Sequence, residues 1–229
     1  MSNQSVAGEV ARVQAPAHLI EASLSEFAKL LPAQVTPDRF GRWALTVLKR
    51  GLADPRQAEA WARVLHPDNA AGLASVMSAL MDAATLGLEP GREYHLVPFG
   101  STVTGITDYK GEIKLITNAR KCSVIAQLVC QQDEFAMTGA NIPPHHEADW
   151  FNEDKRGEVI GGYAYVAYPQ GEYSLVVRMS RLEFERHRAK SKTGTRDDSP
   201  WVQWYEAMCL KTLVHQQRKW VPWSAERQW

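Results

Sequence analysis

The sequence is organised around residues 86–118, Leu86-Gly-Leu-Glu-Pro-Gly-Arg-Glu-Tyr-His-Leu-Val-Pro-Phe-Gly-Ser-Thr-Val-Thr-Gly-Ile-Thr-Asp-Tyr-Lys-Gly-Glu-Ile-Lys-Leu-Ile-Thr-Asn118. A helix is expected to end near Leu86, with Gly87 in the left-handed position just beyond it, where a side chain would be strained. Pro90-Gly91 makes a turn. Tyr94 to Phe99 reads as a strand and Thr102 to Thr107 as its return. Gly100-Ser101 between them is a two-residue loop of the Gly-X kind that suits a type II′ hairpin. From Tyr109 the apolar period becomes helical, through Ile113, Leu115 and Ile116.

Upstream the signals are helical. Leu24 to Leu31 is a short helix closed by Pro32. Thr36-Pro37-Asp38 supplies a cap, a first-turn proline and a first-turn acid. Phe40, Trp43, Ala44, Val47 and Leu48 then recur at helical spacing. Asp54-Pro55 interrupts, Ala58 to Leu65 resumes, and Asp68 or Asn69 caps a longer helix running through Leu80 to Ala84. Residues 21–90 thus read as a helical lobe behind a polar, flexible leader at 1–20. Downstream, Cys122 to Phe135 is β-rich and residues 141–158 are a polar loop. Val159 to Tyr168 and Glu172 to Met179 are strands joined by Pro169-Gln170-Gly171. Ser180-Arg181-Leu182-Glu183 is a capping box opening a helix to about Ala189. Ser199-Pro200 starts a last long helix that Pro222 ends. Most strand links are too short for crossovers, so about five mostly antiparallel strands are expected. The fold class is α+β: the helical lobe at 21–90, then a small central sheet and C-terminal helices within 91–229.

A chain of 229 residues with 45% hydrophobic and 23% charged residues can bury one core or two intimate lobes. No apolar run reaches the ~18 residues of a membrane span. The N-terminal stretch lacks the apolar centre of a signal peptide, and a cytoplasmic location is expected. Cys122, Cys130 and Cys209 are odd in number and lack a Cys-x-x-Cys pattern, as buried reduced thiols would. The formal net charge is zero but segregated: residues 131–160 carry seven acids against two bases, and residues 178–196 seven bases against two acids. That segregation suits either one basic surface for an anion or two solvated faces that meet each other.

Most chemistry is disfavoured. There is no phosphate loop; Lys190-Ser191-Lys192-Thr193-Gly194-Thr195 follows a helix instead of a strand. Asp108, Glu112 and Lys114 resemble the Asp…Glu-x-Lys set of metal-dependent nucleases, but Glu112 and Lys114 lie in a helical pattern, where i and i+2 point apart. His145-His146-Glu147-x-Asp149 has metal-ligating residue types on a proline loop and reads as solvated, so no metal ligand is assigned. No hydrolytic nucleophile signature occurs, and no catalytic residue is assigned. Three basic groups remain. Lys211, His215 and Arg218 lie at i, i+4 and i+7 of the last helix, and Trp204 falls seven residues before Lys211 on the same stripe. Cations suit phosphates and an indole suits a base, although helical spacing by itself places Trp204 in a core with Trp201, Tyr205 and Met208. The second group is Arg178, Arg188, Lys190, Lys192 and Arg196. The third is Tyr109, Lys110, Lys114, Arg120 and Lys121. Three such groups around one sheet would line a groove.

The order "helix, Leu-Gly-Leu-x-Pro, hairpin ending in an aromatic, Tyr-Lys-Gly, helix" resembles the RecT proteins, phage-encoded single-strand annealing recombinases. Further matches are Asp133-Glu134-Phe135, Gly161-Gly162-Tyr163-Ala164, Met179-Ser180-Arg181, Ser199-Pro200-Trp201, Met208 and Lys211-Thr212. The resemblance covers roughly Leu24 to Ser224. It implies ATP-independent binding of single-stranded DNA and annealing of complementary strands in phage-type homologous recombination, in the cytoplasm of a bacterial host. It turns the three basic groups toward DNA. It implies no required cofactor, with Mg²⁺ at most accompanying the DNA. The implied partners are other copies of the chain, in a ring or helical filament, and a 5′-to-3′ exonuclease. Leu210, Val214, Trp220, Trp223 and Trp229 offer apolar surface for such assembly. The chain ends five residues after Ser224, where relatives commonly carry a further tail, which leaves contact with host single-strand binding protein open. The alternatives are an Mg²⁺-dependent nuclease using Asp108, Glu112 and Lys114, and a plain single-strand protector.

Overall fold

The computed structural model describes residues 17–191 and 194–229. The chain divides into two compact units, Met1–Gly111 and Glu112–Trp229.

The first unit holds helices α1 (Leu24–Leu30), α2 (Pro37–Ala53), α3 (Ala58–Val64) and α4 (Ala70–Thr85), then strands β1 (Tyr94–Phe99) and β2 (Thr102–Thr107). Local side-chain chemistry sets its boundaries. The Arg39 amide donates to the Thr36 hydroxyl at the start of α2. Asn69 is the cap of α4: its Oδ1 accepts from the Gly72 amide at 2.9 Å. Its Nδ2 also donates to the Ser101 carbonyl at 2.7 Å, which pins the hairpin turn to the helix. α4 ends as expected. Leu88 N–H donates to Ala83 O and Gly87 N–H to Ala84 O, with Gly87 at φ 64°; this paired arrangement closes the carbonyls a helix end leaves open. The hairpin runs in register from Tyr94↔Thr107 to Phe99↔Thr102. Phe27, Phe40, Trp61, Leu65, Leu80 and Leu88 are buried, with the Phe27 and Phe40 rings 5.0 Å apart.

Helix α5 (Tyr109–Ala119) carries the chain from the first unit into the second. There β3 (Ser123–Cys130), β6 (Val159–Ala167) and β7 (Val177–Ser180) form an antiparallel sheet in the order β3-β6-β7. β4 (Glu134–Ala136) and β5 (His145–Glu147) form a separate hairpin. Helices α6 (Glu153–Arg156), α7 (Arg181–Lys190), α8 (Pro200–Gln203) and α9 (Tyr205–Arg218) complete the unit.

The α+β class with antiparallel strands holds. Among the described residues, however, the strands split among three sheets instead of one. β1 and β2 make a two-stranded sheet of their own. β7 joins β6 only from Val177, because Ser174 diverts the chain: its buried hydroxyl accepts from the Val166 amide and from Gln217 Nε2, each at 2.9 Å.

The expected polar loop at 141–158 instead holds β5 and α6, organised by one buried carboxylate. Asp133 accepts from Arg156 Nε (2.9 Å) and Nη2 (2.7 Å), and from the Cys130 amide (2.7 Å). It also bonds His146 Nε2 (3.0 Å). The Arg156 bonds, then those from Cys130 and His146, hold the Asp133 carboxyl well below the usual carboxylate range. His146 Nδ1 reaches Tyr163 Oη at 3.1 Å, and Tyr163 O–H donates to Gln127 Oε1 at 2.6 Å.

The last helix is not continuous. It breaks at Trp204 (φ −138°, ψ 50°) between α8 and α9, and Trp204 stands 68% exposed, neither in the core nor on a face of α9. Leu210 and Val214 pack inward. Cys130 and Cys209 are buried free thiols, whereas Cys122 is half-buried, and burial pushes the Cys209 thiol up to about 12.

Beneath α9, β6 carries no side chain at Gly162, and at Gly161, facing the other way, it is bare against β7. A Cβ on Gly162 would lie 2.8 Å from both Gln127 O and Leu213 Cδ1; one on Gly161 would lie 2.7 Å from Met179 O. β3, α9 and β7 therefore approach β6 as closely as they do only over bare backbone. Gly162→Ala is expected to destabilise the fold by about 1–3 kcal/mol through overpacking, read as a lower denaturation midpoint. An unchanged midpoint would mean that Leu213 moves aside without cost.

Candidate nucleic-acid interface

The joint between β7 and α7 builds one wall of a basic cavity. Ser180 caps α7: its hydroxyl accepts from the Glu183 amide, and Glu183 Oε2 accepts from the Ser180 amide and hydroxyl at 2.8 Å. This box fixes where the strand stops and the helix begins. Arg178, the second residue of β7, lines the cavity with Arg186, His187 and Lys190, which share one face of α7 by their three- and four-residue spacing. The opposite wall is Gln216 of α9 and Trp220 just beyond it, around a cavity of about 230 Å³. Glu183 also lines it, but its carboxylate is occupied by Ser180, and those bonds hold its pKa below the ordinary value. The Trp220 indole is 64% exposed and offers an open π face.

Arg178, Arg186 and Lys190 line this cavity against one carboxylate, Glu183. His187 is held below its ordinary pKa, first by burial and then by the charges of Lys190, Lys219 and His215. Cations that penalise one another in this way are relieved by an anion among them. Arginine, lysine and an exposed indole together match a phosphate backbone carrying bases.

Of the residues singled out from sequence, Arg178 and Lys190 line the cavity, and His215 stands close enough to act on His187. The rest are placed otherwise. His215 Nδ1 bonds Glu112 Oε1 at 2.6 Å, and that carboxylate is buried. Lys211 is half-buried on α9, and the Arg218 guanidinium lies 4.9 Å over the Trp223 ring. Arg188 turns away: its Nε donates to Gly194 O at 2.8 Å, and it pairs with Glu185. Arg196 is held by both oxygens of Asp198, at 3.0 and 2.9 Å. Arg120 pairs with Glu172 and lies over the Tyr168 ring; Lys121 lies over the Trp229 ring. Lys114 is half-buried on α5. Tyr109 and Lys110 belong to the first unit, with Lys110 Nζ 5.9 Å from the Tyr109 ring. Lys192 lies outside the described residues. Arg186 and His187 were not singled out, and Trp220 was read as apolar surface. The signal that would have found the first two is the run Glu183, Arg186, His187, Lys190 behind a capping box.

The nuclease-like set does not assemble on a strand. Glu112 and Lys114 both sit on α5. Glu112 is engaged by His215, while Asp108 accepts from the Lys110 amide and bonds His95 Nε2 at 3.3 Å.

A family model described as the RecT family matches residues 38–229. Protein RecT of Escherichia coli (strain K12) is 31% identical over 167 residues, which is 67% of this chain and 60% of that protein. The chain thus matches less than two thirds of that relative's length.

A bound polyanion should reverse the sign of the field at His187. Its pKa is expected to rise when a short single-stranded oligonucleotide is added, because phosphates favour the imidazolium. Binding then takes up a proton and tightens as pH falls from the pKa of the bound state toward that of the free protein, which lies below the ordinary histidine value. NMR titration of the imidazole with and without oligonucleotide checks this; an unmoved titration would show that no phosphate comes near His187.

Proposed function

The chain belongs to the RecT family, and on that premise we propose that it binds single-stranded DNA and anneals complementary strands, without nucleotide hydrolysis, during homologous recombination. The observation that carries this reading is the cavity in which Arg178, Arg186, His187 and Lys190 face Trp220. The cations hold phosphates by charge, which is indifferent to sequence. The indole stacks on a base without reading its edge. Base edges stay free, and a second strand tests pairing at high effective concentration. No bond is made or broken. No cofactor is needed, and Mg²⁺ enters only with the DNA.

Annealing tests many contiguous base pairs together, whereas one protomer of 25.7 kDa covers a few nucleotides. The working form is therefore a homo-oligomer, a ring or helical filament, acting in a bacterial cytoplasm beside an exonuclease that supplies the single strand. Phe151, 98% exposed, and the exposed Trp204 and Trp229 are apolar surface for neighbouring copies.

Annealing of labelled complementary oligonucleotides should proceed without ATP. Cleavage in Mg²⁺ would favour the nuclease, and protection without annealing the plain protector. Affinity for a single strand should fall with salt at a log–log slope near ~0.7 per phosphate contacted. Arg178→Ala with Lys190→Ala should lower that slope, while Arg196→Ala leaves it unchanged. Trp220→Ala should cost about 1–3 kcal/mol of binding. A slope that none of these changes would overturn the placement of the strand.

A further inference from the structure

We propose that Glu134, His145 and Glu147 form a site for a divalent transition-metal ion, zinc first among them, on the β4–β5 hairpin. Glu134 and Glu147 are direct cross-strand partners, and His145 lies two residues before Glu147 on the same face of β5. His145 Nε2 is 3.6 Å from Glu134 Oε1 and 3.7 Å from Glu147 Oε1. One donor atom from each of the three lies within 4.8 Å of the others. An ion bonded at about 2.0–2.2 Å to nitrogen and oxygen holds tetrahedral donors roughly 3.3–3.6 Å apart, close to the two His145–glutamate distances but nearer than the 4.8 Å span of the whole set. Small rotations of three exposed side chains supply the difference.

The rest of the hairpin favours this use. Two glutamates directly opposite each other repel, and a cation between them removes that cost. The alternate residue, His146, points to the other side, where it is buried against Asp133 and Tyr163. The strand that carries two of the donors is thus already anchored, so less freedom is lost when a metal is taken up. One imidazole and two carboxylates, with room for water, suit zinc. Magnesium and calcium prefer all-oxygen shells. A bound ion would join the two strands and restrain the link at 137–144 between them. The site stands apart from the cavity assigned to DNA, and its test does not depend on that assignment.

Calorimetric titration of the full-length chain with zinc chloride, in excess Mg²⁺, is expected to show one site per protomer. His145→Ala and Glu147→Gln should each weaken it by at least about tenfold, a loss of ~1.4 kcal/mol. His66→Ala, elsewhere on the surface, should leave it unchanged. Cobalt should give visible absorption bands that His145→Ala abolishes, and zinc should slow proteolysis within 137–144 in the natural chain but not in that variant. The absence of binding, zinc affinity unaltered in both hairpin variants, or equal competition by Mg²⁺ would each overturn the assignment.

Discussion

The closeness of β6 to its three neighbours governs the second unit. At Gly161 and Gly162 the strand presents bare backbone to Met179 O, Gln127 O and Leu213. Any side chain there would lift α9 from the sheet or part β6 from β7. The basic cavity inherits this constraint. One wall is the end of β7 and the face of α7; the other is the end of α9. The helices of both walls pack against β6 and β7, so one sheet holds the two walls together. A rigid core under a charged cleft suits binding that must hold a phosphate backbone without reading sequence.

A second constraint acts on the opposite side of the sheet. Asp133 gathers Arg156, His146 and the Cys130 amide, and through His146 and Tyr163 the network reaches Gln127 of β3. Buried charge is tolerated here because each partner is satisfied by another. The aromatic rings of Phe135, His146, Trp150 and Tyr163 pack around it, which excludes water and strengthens the pair. One ion pair thus turns a segment of polar and proline-rich composition into an ordered hairpin and a helical turn.

What was legible in the sequence was local chemistry. Thr36, Gly87 and Ser180 stop or start elements through bonds to residues three positions away, and Gly100 turns the hairpin at φ 61°. What was not legible depends on long range. Arg156 is 23 residues from Asp133, so residues 141–158 looked like solvent-facing loop. The break at Trp204 leaves no mark in the helical period. For the cations, sequence shows charge but not its use. Arg120, Arg188 and Arg196 are bound by Glu172, Gly194 and Asp198, whereas Arg186 and His187 join Arg178 and Lys190 only once the capping box has fixed the helix start.

The central claim is that a single strand lies in the cleft between α7 and the end of α9, with a base on Trp220. Photo-crosslinking of an oligonucleotide carrying 5-iodouracil, mapped by mass spectrometry, tests it most directly. The account predicts that the adduct forms on Trp220. Adducts confined to Trp204, Trp223 or Trp229, with Trp220 unmodified, would contradict it.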